Sequence, residues 1–449
     1  MGNIDNKQKS EDVKSKVQDL AEKLINDGKY SEALSILEQY NTKIPGDPDI
    51  CSMIAVAYLV RGQLDKAEQA IAQGLAKDTI QFDLIYNLAY IYEMKNEYEK
   101  AADLYMIADS ATNNKEMKNN VKASLERIKA IDSSIVFKEK KKLVFFVKDG
   151  MNNFFEDIIE GLSNEYLVRK MSVNDYKQID TGMEWADVCW FEWCDELIVY
   201  ASRSPLAKDK KIICRIHGYE VYTNAINSVN WNNVDKLIIV APHIKRIFLE
   251  NMRSIPNVDI ELVYCGVNTD KYPLRKRTKG FNIGYLGYIN FKKNIPLTLE
   301  IFKMLHNIDK RYKLHLAGQF QDERTFSYFK YFIREYKLED AVFFEGWKDY
   351  DQKLEFLDKL DYMVISSIDE GLCYAAAEAM CSGIKPILHN CEGIKDHYIP
   401  EYIFNSVDEA VDMIQSDEYD SYSYRKYVED RFSSSIEISK IKSIIQSLL

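Results

Sequence analysis

The chain has 449 residues, a size that allows two or three packed domains, and a formal net charge of −11. Its acidic residues alternate with Lys and Arg instead of forming blocks, so the sequence offers no basic surface for a nucleic acid. The longest apolar runs, such as residues 143–147, are far shorter than the roughly 20 residues that cross a bilayer. The composition therefore indicates a globular protein without a nucleic-acid partner or a transmembrane segment.

The cysteines and the N-terminus predict the compartment. The 8 cysteines are scattered with no Cys-x-x-Cys pair, which is typical of reduced, buried thiols. The first residues contain neither an apolar signal core nor a myristoylation pattern. We therefore expect a cytoplasmic protein, either free or peripheral at a membrane.

The first part of the chain repeats with a period of about 34 residues. The sets that align are Leu20, Ile54 and Leu88, then Ala21, Ala55 and Ala89, then Gly28, Gly62 and Asn96, and finally Ala33, Ala67 and Ala101. Small residues let two helices cross closely, and Gly or Asn supplies the tight turn between them. These residues resemble tetratricopeptide repeats over about residues 14–115. The resemblance implies a concave surface for a protein or peptide, with dimerisation or a rigid spacer as the alternative.

After the charged stretch 138–142, short apolar runs alternate with amphipathic segments, a pattern typical of parallel α/β sheets. The predicted strands are 143–147, 187–193, 211–217, 236–241, 260–267, 282–286, 312–317, 342–345, 362–366 and 385–388. They form two doubly wound units, whose ligands bind at the carboxyl ends of the strands. The predicted domains are 1–135, 136–275 and 276–449.

The segment from Glu370 to Met380 carries the most specific signal. It follows a predicted strand and opens a helix, and Gly371 allows the sharp turn between them. Backbone N–H groups at the start of a helix form an anion site. Glu370 and Glu378 are two carboxylates that would frame a polyhydroxylated ligand beside a phosphate.

This segment resembles the Glu-x7-Glu motif of retaining family-four glycosyltransferases, which have two Rossmann-like domains in the GT-B arrangement. By that resemblance Glu370 binds hydroxyls of the donor sugar and Glu378 binds the ribose of the nucleotide. The backbone of Gly371, Leu372 and Cys373 holds the phosphates. The predicted fold is therefore α/β, with two Rossmann-like domains preceded by an all-α repeat domain.

A second segment, residues 287–294, resembles the phosphate-binding Gly-Arg-x-x-x-x-Lys motif of the same family. Lys293 matches the lysine of that motif, but Tyr288 stands at the position of the arginine. Lys292 is the candidate that supplies the missing positive charge. We expect Lys292 and Lys293 to contact the diphosphate of the donor.

Four further residues follow strands at positions that the resemblance assigns to the donor site. Gly318 and Trp347 correspond to loops beside the nucleotide, and Gly150 corresponds to a loop near the reacting sugar. His217 resembles a histidine that the family places beside the donor sugar. We expect His217, Lys293 and Glu370 to be the catalytic residues.

The resemblance implies transfer of a sugar from a nucleoside-diphosphate sugar to a protein, peptide or glycan acceptor, with retention of configuration and no metal cofactor. The Asp349-Tyr350-Asp351 triplet spells an Asp-x-Asp metal motif, but it opens a predicted helix, where two carboxylates need no metal to explain them. Two alternatives stay open. One is a nucleotide-sugar 2-epimerase, and the other is a non-catalytic repeat adaptor with a decayed transferase domain, for which Tyr288 is the best support.

Overall fold

The computed structural model describes residues 2–77, 81–135, 140–148, 151 and 155–449, with side chains from residue 13 onward. The chain divides into two compact units. The first unit comprises residues 1–153, 162–192 and 204–211, and the second comprises 154–161, 193–203 and 212–449.

The N-terminal part of the first unit is a series of antiparallel helices. Their bounds are α1 Gly2–Asn26, α2 Tyr30–Lys43, α3 Pro48–Val60, α4 Leu64–Leu75, α5 Phe82–Met94, α6 Tyr98–Ala111 and α7 Lys115–Ile131. The turns within the three repeats are made by Gly28, Gly62 and Asn96, with φ angles of 73°, 68° and 61°. This left-handed backbone is the reason for Gly or Asn at these places. The predicted repeat register is confirmed.

The alanines of the repeat are completely buried where the helices cross. They are Ala21, Ala33, Ala55, Ala67, Ala89 and Ala101. Leu20 departs from the pattern, since it is 46% exposed whereas its counterpart Ile54 is buried. The small residues are therefore the more regular part of the repeat.

A six-stranded parallel sheet follows the helices, in the order β2-β1-β3-β4-β5-β6. Its strands are β1 Lys142–Lys148, β2 Leu167–Val173, β3 Val188–Phe191, β4 Lys211–Ile216, β5 Lys236–Ile239 and β6 Asp259–Leu262. Strand β2 was not predicted, because Arg169 and Lys170 interrupt its apolar pattern.

The second sheet is also parallel, in the order β12-β11-β10-β7-β8-β9. Its strands are β7 Asn282–Leu286, β8 Lys313–Ala317, β9 Val342–Gly346, β10 Tyr362–Ile365, β11 Lys385–His389 and β12 Ile403–Phe404. Buried residues of the strands and of the covering helices, such as Leu299, Phe302 and Phe332, form one core around this sheet. Two parallel-sheet Rossmann-like domains after a helical repeat region confirm the predicted fold class.

The α-helices beside the two sheets complete the architecture. They are α8 Glu156–Ser163, α9 Tyr176–Trp185, α10 Glu196–Ala201, α11 Pro242–Asn251, α12 Ile295–Ile308, α13 Glu323–Glu335, α14 Tyr350–Asp358, α15 Tyr374–Cys381, α16 Ile394–His397, α17 Val407–Gln415, α18 Ser421–Phe432 and α19 Ser434–Leu448. In α19, Glu437 forms a buried ion pair with Arg215 of β4 and accepts the backbone N–H of Gly266 at 2.8 Å. The last helix therefore returns to the first sheet.

Candidate active site

Glycines bring the carboxyl ends of three neighbouring strands of the second sheet close together. The Gly287 N–H donates to Ala317 O at 3.0 Å, and the Gly318 N–H donates to Gly346 O at 2.8 Å. A Cβ atom on Gly318 would stand 1.8 Å from Gly287 O, and the φ angle of Gly318 is 155°. Only glycine fits at this close approach, which explains sterically why the predicted donor-site residue 318 is a glycine.

The two predicted catalytic residues of this domain form an ion pair at the same edge of the sheet. Lys293 Nζ lies 2.5 Å from Glu370 Oε1. Glu370 is buried in the loop after β10, and Lys293 lies just before α12, where its backbone N–H donates to Asn290 Oδ1 at 3.1 Å. The Lys293 carbonyl also accepts the Ser366 hydroxyl at 2.8 Å, which ties this loop to the end of β10.

The pair keeps both side chains charged in spite of burial. Burial opposes the ionisation of Glu370, but the Lys293 ammonium outweighs it and holds the pKa of that carboxyl below its ordinary value. Burial likewise opposes the charge of Lys293, and the Glu370 carboxylate raises the pKa of this lysine. The site therefore contains a buried carboxylate and a half-buried ammonium, both of them charged.

Lys292 takes a separate partner. Its Nζ lies 3.2 Å from Asp369 Oδ2, so its charge is engaged beside Glu370. Ile368 donates its backbone N–H to Lys292 O at 2.9 Å. The two lysines are thus held against two successive carboxylates of one loop.

Residues 371–373 form the turn from this loop into α15. The helix begins at Tyr374, and Cys373 before it has a φ angle of 60°. Cys373 O accepts the N–H groups of Ala376 and Ala377 at 3.1 and 3.2 Å, and Leu372 O accepts the Tyr398 hydroxyl at 2.8 Å. The predicted phosphate-binding backbone of Gly371, Leu372 and Cys373 therefore lies immediately before the helix N-terminus.

Glu378 lies on α15, two turns after the Glu370 loop, and has different partners. Its Oε1 accepts the Tyr272 hydroxyl at 2.6 Å and the Lys353 ammonium at 2.7 Å. Lys353 also donates to the Tyr272 hydroxyl at 2.8 Å, which closes a three-membered hydrogen-bonded cluster. Burial and the charge of Glu378 raise the pKa of Tyr272, so this hydroxyl keeps its proton and donates it.

The sequence patterns did not identify Tyr272 and Lys353 as candidate site residues. They lie 106 and 25 residues from Glu378 along the chain, in segments without a motif of their own. Lys353 follows the Asp349-Tyr350-Asp351 triplet, and Asp349 is the N-cap of α14 in a capping box with Gln352. The expectation that this triplet opens a helix is confirmed.

Two exposed aromatic residues, Tyr288 and Trp347, directly follow Gly287 and Gly346 along the chain. The ring centroids of Tyr288 and Trp347 are 4.9 Å apart, and the side chains are 44% and 55% exposed. The tyrosine that stands in the place of an arginine therefore forms an aromatic wall with the predicted donor-site residue Trp347. A flat, half-exposed surface of this kind suits stacking with a ring of a ligand.

His217 lies at the end of β4, next to the Glu370 loop. Its carbonyl oxygen is 3.8 Å from the position of a Cβ on Gly371. Its imidazole is tilted against the Trp193 ring at a centroid distance of 4.3 Å, and its Nδ1 is 3.9 Å from Cys265 Sγ. The structure thus brings His217 close to Gly371, whereas the predicted Gly150 lies outside the described residues.

The remaining predictions concern thiols, metals and membranes. All 8 cysteines are free in the structure, and all except Cys391 are buried. Among the described residues no group of three or more His, Cys, Asp and Glu side chains is arranged to hold a metal ion. Within the same part of the chain, no helix combines the length and the apolar character that a membrane span requires.

Comparisons with known proteins match two segments of the chain. Residues 266–416 match the family model of glycosyl transferases group 1, and residues 24–80 match that of the tetratricopeptide repeat. The TPR repeat-containing protein YvcD of Bacillus subtilis (strain 168) is 31% identical over 87 residues, which are 19% of this chain and 18% of that protein.

A solved structure shares the fold at low sequence identity. Anabaena Alr3699/HepE in complex with UDP and glucose matches with a TM-score of 0.56 and 14% identity, over 68% of this chain and 100% of that chain. S. aureus TarM matches with a TM-score of 0.48 and 17% identity, over 58% of this chain and 54% of the longer TarM chain.

Residues 266–416 are therefore similar to glycosyl transferases group 1 and residues 24–80 to the tetratricopeptide repeat, and the chain shares the fold of the Anabaena protein over 68% of its length.

Proposed function

We propose that the protein is a retaining glycosyltransferase that moves a sugar from a nucleoside-diphosphate sugar to an acceptor. The observation that carries the proposal is the placement of two carboxylates, Glu370 and Glu378, each with a lysine within 2.7 Å, on either side of the N-terminus of α15. A diphosphate at that N-terminus would have a sugar on one side and a ribose on the other.

Each residue has a defined part in this reaction. Glu370 accepts hydroxyls of the donor sugar, and Lys293 faces the departing diphosphate together with the backbone of Gly371 to Cys373. Glu378 accepts the ribose hydroxyls, and His217 lies beside the sugar. Breaking the sugar–phosphate bond leaves a multiply charged diphosphate, so preorganised positive potential is the main catalytic requirement.

The aromatic wall of Tyr288 and Trp347 is the proposed place of the nucleobase. Stacking of a base on an aromatic ring contributes about 1–3 kcal/mol. Because the Anabaena structure contains UDP and glucose, uridine-diphosphate sugars are the first donors to test. Replacing Trp347 by Ala should weaken binding of UDP roughly tenfold while leaving binding of inorganic diphosphate unchanged, which titration calorimetry measures.

Transfer without a metal is part of the proposal, because Lys293 and the α15 N-terminus offer positive potential at the diphosphate. We expect activity to persist when a chelator is added in excess. Loss of activity with the chelator and recovery with Mn²⁺ or Mg²⁺ would contradict this expectation.

We further propose that the repeats position a protein that is, or carries, the acceptor. The repeats contact the first sheet domain through Trp185 of α9, which packs against the core of α5–α7 and donates its indole N–H to Ser110 O at 3.0 Å. A bound chain would therefore be held at a fixed place relative to strand β1. Holding a reactant in position lowers the entropic part of the barrier.

The test uses the full chain, because removal of residues 1–135 would uncover Trp185. Tyr90 and Met94 are exposed apolar residues of α5. Replacing both by Ala should raise the KM for a macromolecular acceptor and leave hydrolysis of the donor by water unchanged. The control is Ile308→Ala, an equally exposed apolar residue of α12. Equal acceptor KM values in both variants would assign the repeats to assembly instead.

The 2-epimerase and the decayed adaptor make different predictions for one experiment. The protein is incubated with a panel of nucleotide sugars, and the products are weighed by mass spectrometry. A transferase releases the nucleoside diphosphate and adds the sugar mass to an acceptor or to water. An epimerase converts the nucleotide sugar into an epimer of unchanged mass with no acceptor consumed, which proton NMR of the same mixture distinguishes from the donor, and an inert adaptor leaves every donor intact.

A further inference from the structure

A cavity of about 550 Å³ lies in the second unit beside the Glu370 loop. It is formed by the first turn of α11 and by the loop that connects β11 to α16. Six of its lining residues carry polar side chains that matter here: His243, Arg246, Asn390, Glu392, Lys395 and Asp396. A volume of this size is within the range of sites that bind small molecules.

The cavity wall is continuous with the proposed donor site. The Glu370 N–H donates to Glu392 O at 3.3 Å, and Asp369 pairs with Glu392 in an isolated β-bridge. Glu370, the proposed sugar-binding residue, is therefore hydrogen-bonded directly to Glu392, which lines the cavity. A molecule in the cavity would lie next to the sugar that is to be transferred.

The charges around the cavity balance one another. Arg246 binds Glu392 and also Glu250 at 3.1 Å. Asp396 Oδ2 accepts the backbone N–H of His243 at 3.1 Å, at the N-terminus of α11. Lys395 adds a second cation, so two cations face two carboxylates. Such a lining gives no net attraction to an ion, but it offers many hydrogen-bond donors and acceptors to hydroxyl groups.

Three buried polar atoms beside the cavity point to a hydroxyl. Both ring nitrogens of His243 and Oδ1 of Asp369 find no hydrogen-bond partner among the described residues. The imidazole is 3.3 Å from Asp396 Oδ2 without hydrogen-bond alignment, and its Nε2 is 3.9 Å from Asp369 Oδ1. A hydroxyl both donates and accepts, so one such group satisfies an imidazole N–H and a carboxylate oxygen together.

An exposed tyrosine, Tyr222, lies near the carboxylates of Asp369 and Glu392. Tyr222 is 61% exposed, and partial burial together with the charges of Asp369 and Glu392 raises its pKa. Its segment is tied to α11, because the Asn251 side chain donates to Val221 O at 3.0 Å. The apolar face of a sugar ring packs well on a flat aromatic surface of this kind.

We propose that this cavity binds the acceptor and that the acceptor is an uncharged saccharide, so that the enzyme extends a glycan. This inference rests on the proposed transferase function and defines the acceptor class of the same site. Balanced charges, paired hydrogen-bonding groups and an exposed tyrosine favour a saccharide over a peptide. The repeats would then hold the macromolecule that carries the glycan.

The first test is binding, which needs no turnover. Saturation-transfer NMR is recorded with the full-length protein, UDP and a panel of methyl glycosides of glucose, galactose and N-acetylglucosamine, and with a Ser/Thr-containing peptide as comparison. We expect at least one glycoside to bind. Tyr222→Ala should weaken that binding about tenfold. Tyr222→Phe, which keeps the ring, and the matched control Tyr331→Ala on α13 should leave it within about twofold.

The second test is transfer, with donor hydrolysis measured separately. A bound glycoside should become a disaccharide in the presence of a nucleotide sugar, and Tyr222→Ala should raise its KM about tenfold. Transfer to the peptide but to no glycoside, or glycoside binding that Tyr222→Ala does not change, overturns the inference. Donor hydrolysis with no glycoside bound also overturns it and leaves the transferase proposal standing. Absence of hydrolysis and transfer with every donor contradicts the proposed function instead.

Discussion

The two carboxylates of the Glu-x7-Glu segment have the same chemistry but different hydrogen-bonding and charged partners. Glu370 lies in a loop, its side chain is only 7% exposed, and the Lys293 ammonium before α12 is its main counter-charge, with smaller contributions from Ser367 and Lys292. Glu378 lies on a helix, is 14% exposed, and shares one oxygen between Tyr272 and Lys353. The first depends mainly on one ion pair, whereas the second belongs to a small hydrogen-bonded network.

This difference predicts different costs of mutation. Removing the main counter-charge of a buried carboxylate leaves most of that charge uncompensated, which affects folding as well as function. Removing one member of a network at the edge of the site leaves the remaining members bonded to each other. Substitutions around Glu370 should therefore change stability and turnover together, and substitutions around Glu378 should change mainly turnover and donor binding.

The largest effect is expected for Lys293→Met. It leaves the buried Glu370 carboxylate without its counter-charge, so the free energy of unfolding should fall by about 3 kcal/mol, and kcat/KM should fall at least about 30-fold. Urea denaturation and steady-state kinetics measure the two losses. Adding Glu370→Gln to this variant should restore part of the stability but none of the activity. Unchanged stability of the single variant would contradict the assigned electrostatic role.

The next effect is expected for Glu378→Ala. Loss of charged hydrogen bonds to the donor should cost about 2–3 kcal/mol in transition-state stabilisation, or at least about 30-fold in kcat/KM. Tyr272 and Lys353 remain bonded to each other, so the unfolding free energy should change by less than about 1 kcal/mol. A turnover equal to that of the unaltered enzyme would refute the role of Glu378 in donor binding.

A smaller effect is expected for Tyr272→Phe, which removes one hydrogen bond and keeps the ring. The donor KM should rise about fivefold, in line with about 1 kcal/mol for one hydrogen bond. Tyr350→Phe is the matched control, because its hydroxyl donates to Lys271 O and does not contact Glu378. The same donor KM in both variants would contradict a specific role of the Tyr272–Glu378 hydrogen bond.

The smallest effect concerns pH. The pKa of Glu370 is lower in the folded protein, so this residue contributes stability above its unfolded value of about 4.5, and the contribution is lost as the pH falls through the folded pKa. Urea denaturation at pH 7 and at pH 4 should show this loss. In the double variant Glu370→Gln/Lys293→Met, the unfolding free energy should fall less between pH 7 and pH 4, because the ion pair no longer contributes to that fall. An identical pH dependence in both proteins would count against the pair.

The sequence predicted the repeats and most of the strands because both depend on local regularities. Alanines at a fixed period and left-handed turns at Gly28, Gly62 and Asn96 are properties of neighbouring residues. Apolar runs bounded by polar residues likewise mark buried parallel strands. Strand β2 was missed because Lys170 is buried in it, and strand β12 has only two residues, which is too short for a pattern.

For the candidate site, the sequence by itself predicted which residues would carry the chemistry, because Glu370, Glu378 and Lys293 lie in motifs at strand ends. Only the tertiary structure decided their partners. Lys293 reaches Glu370 across 77 residues, and Tyr272 reaches Glu378 across 106 residues. Lys292 pairs with Asp369, and the Tyr288 ring lies tilted against Trp347. Such pairings arise where the ends of non-consecutive strands meet at one edge of a sheet, and no local pattern in the sequence records which ends will meet.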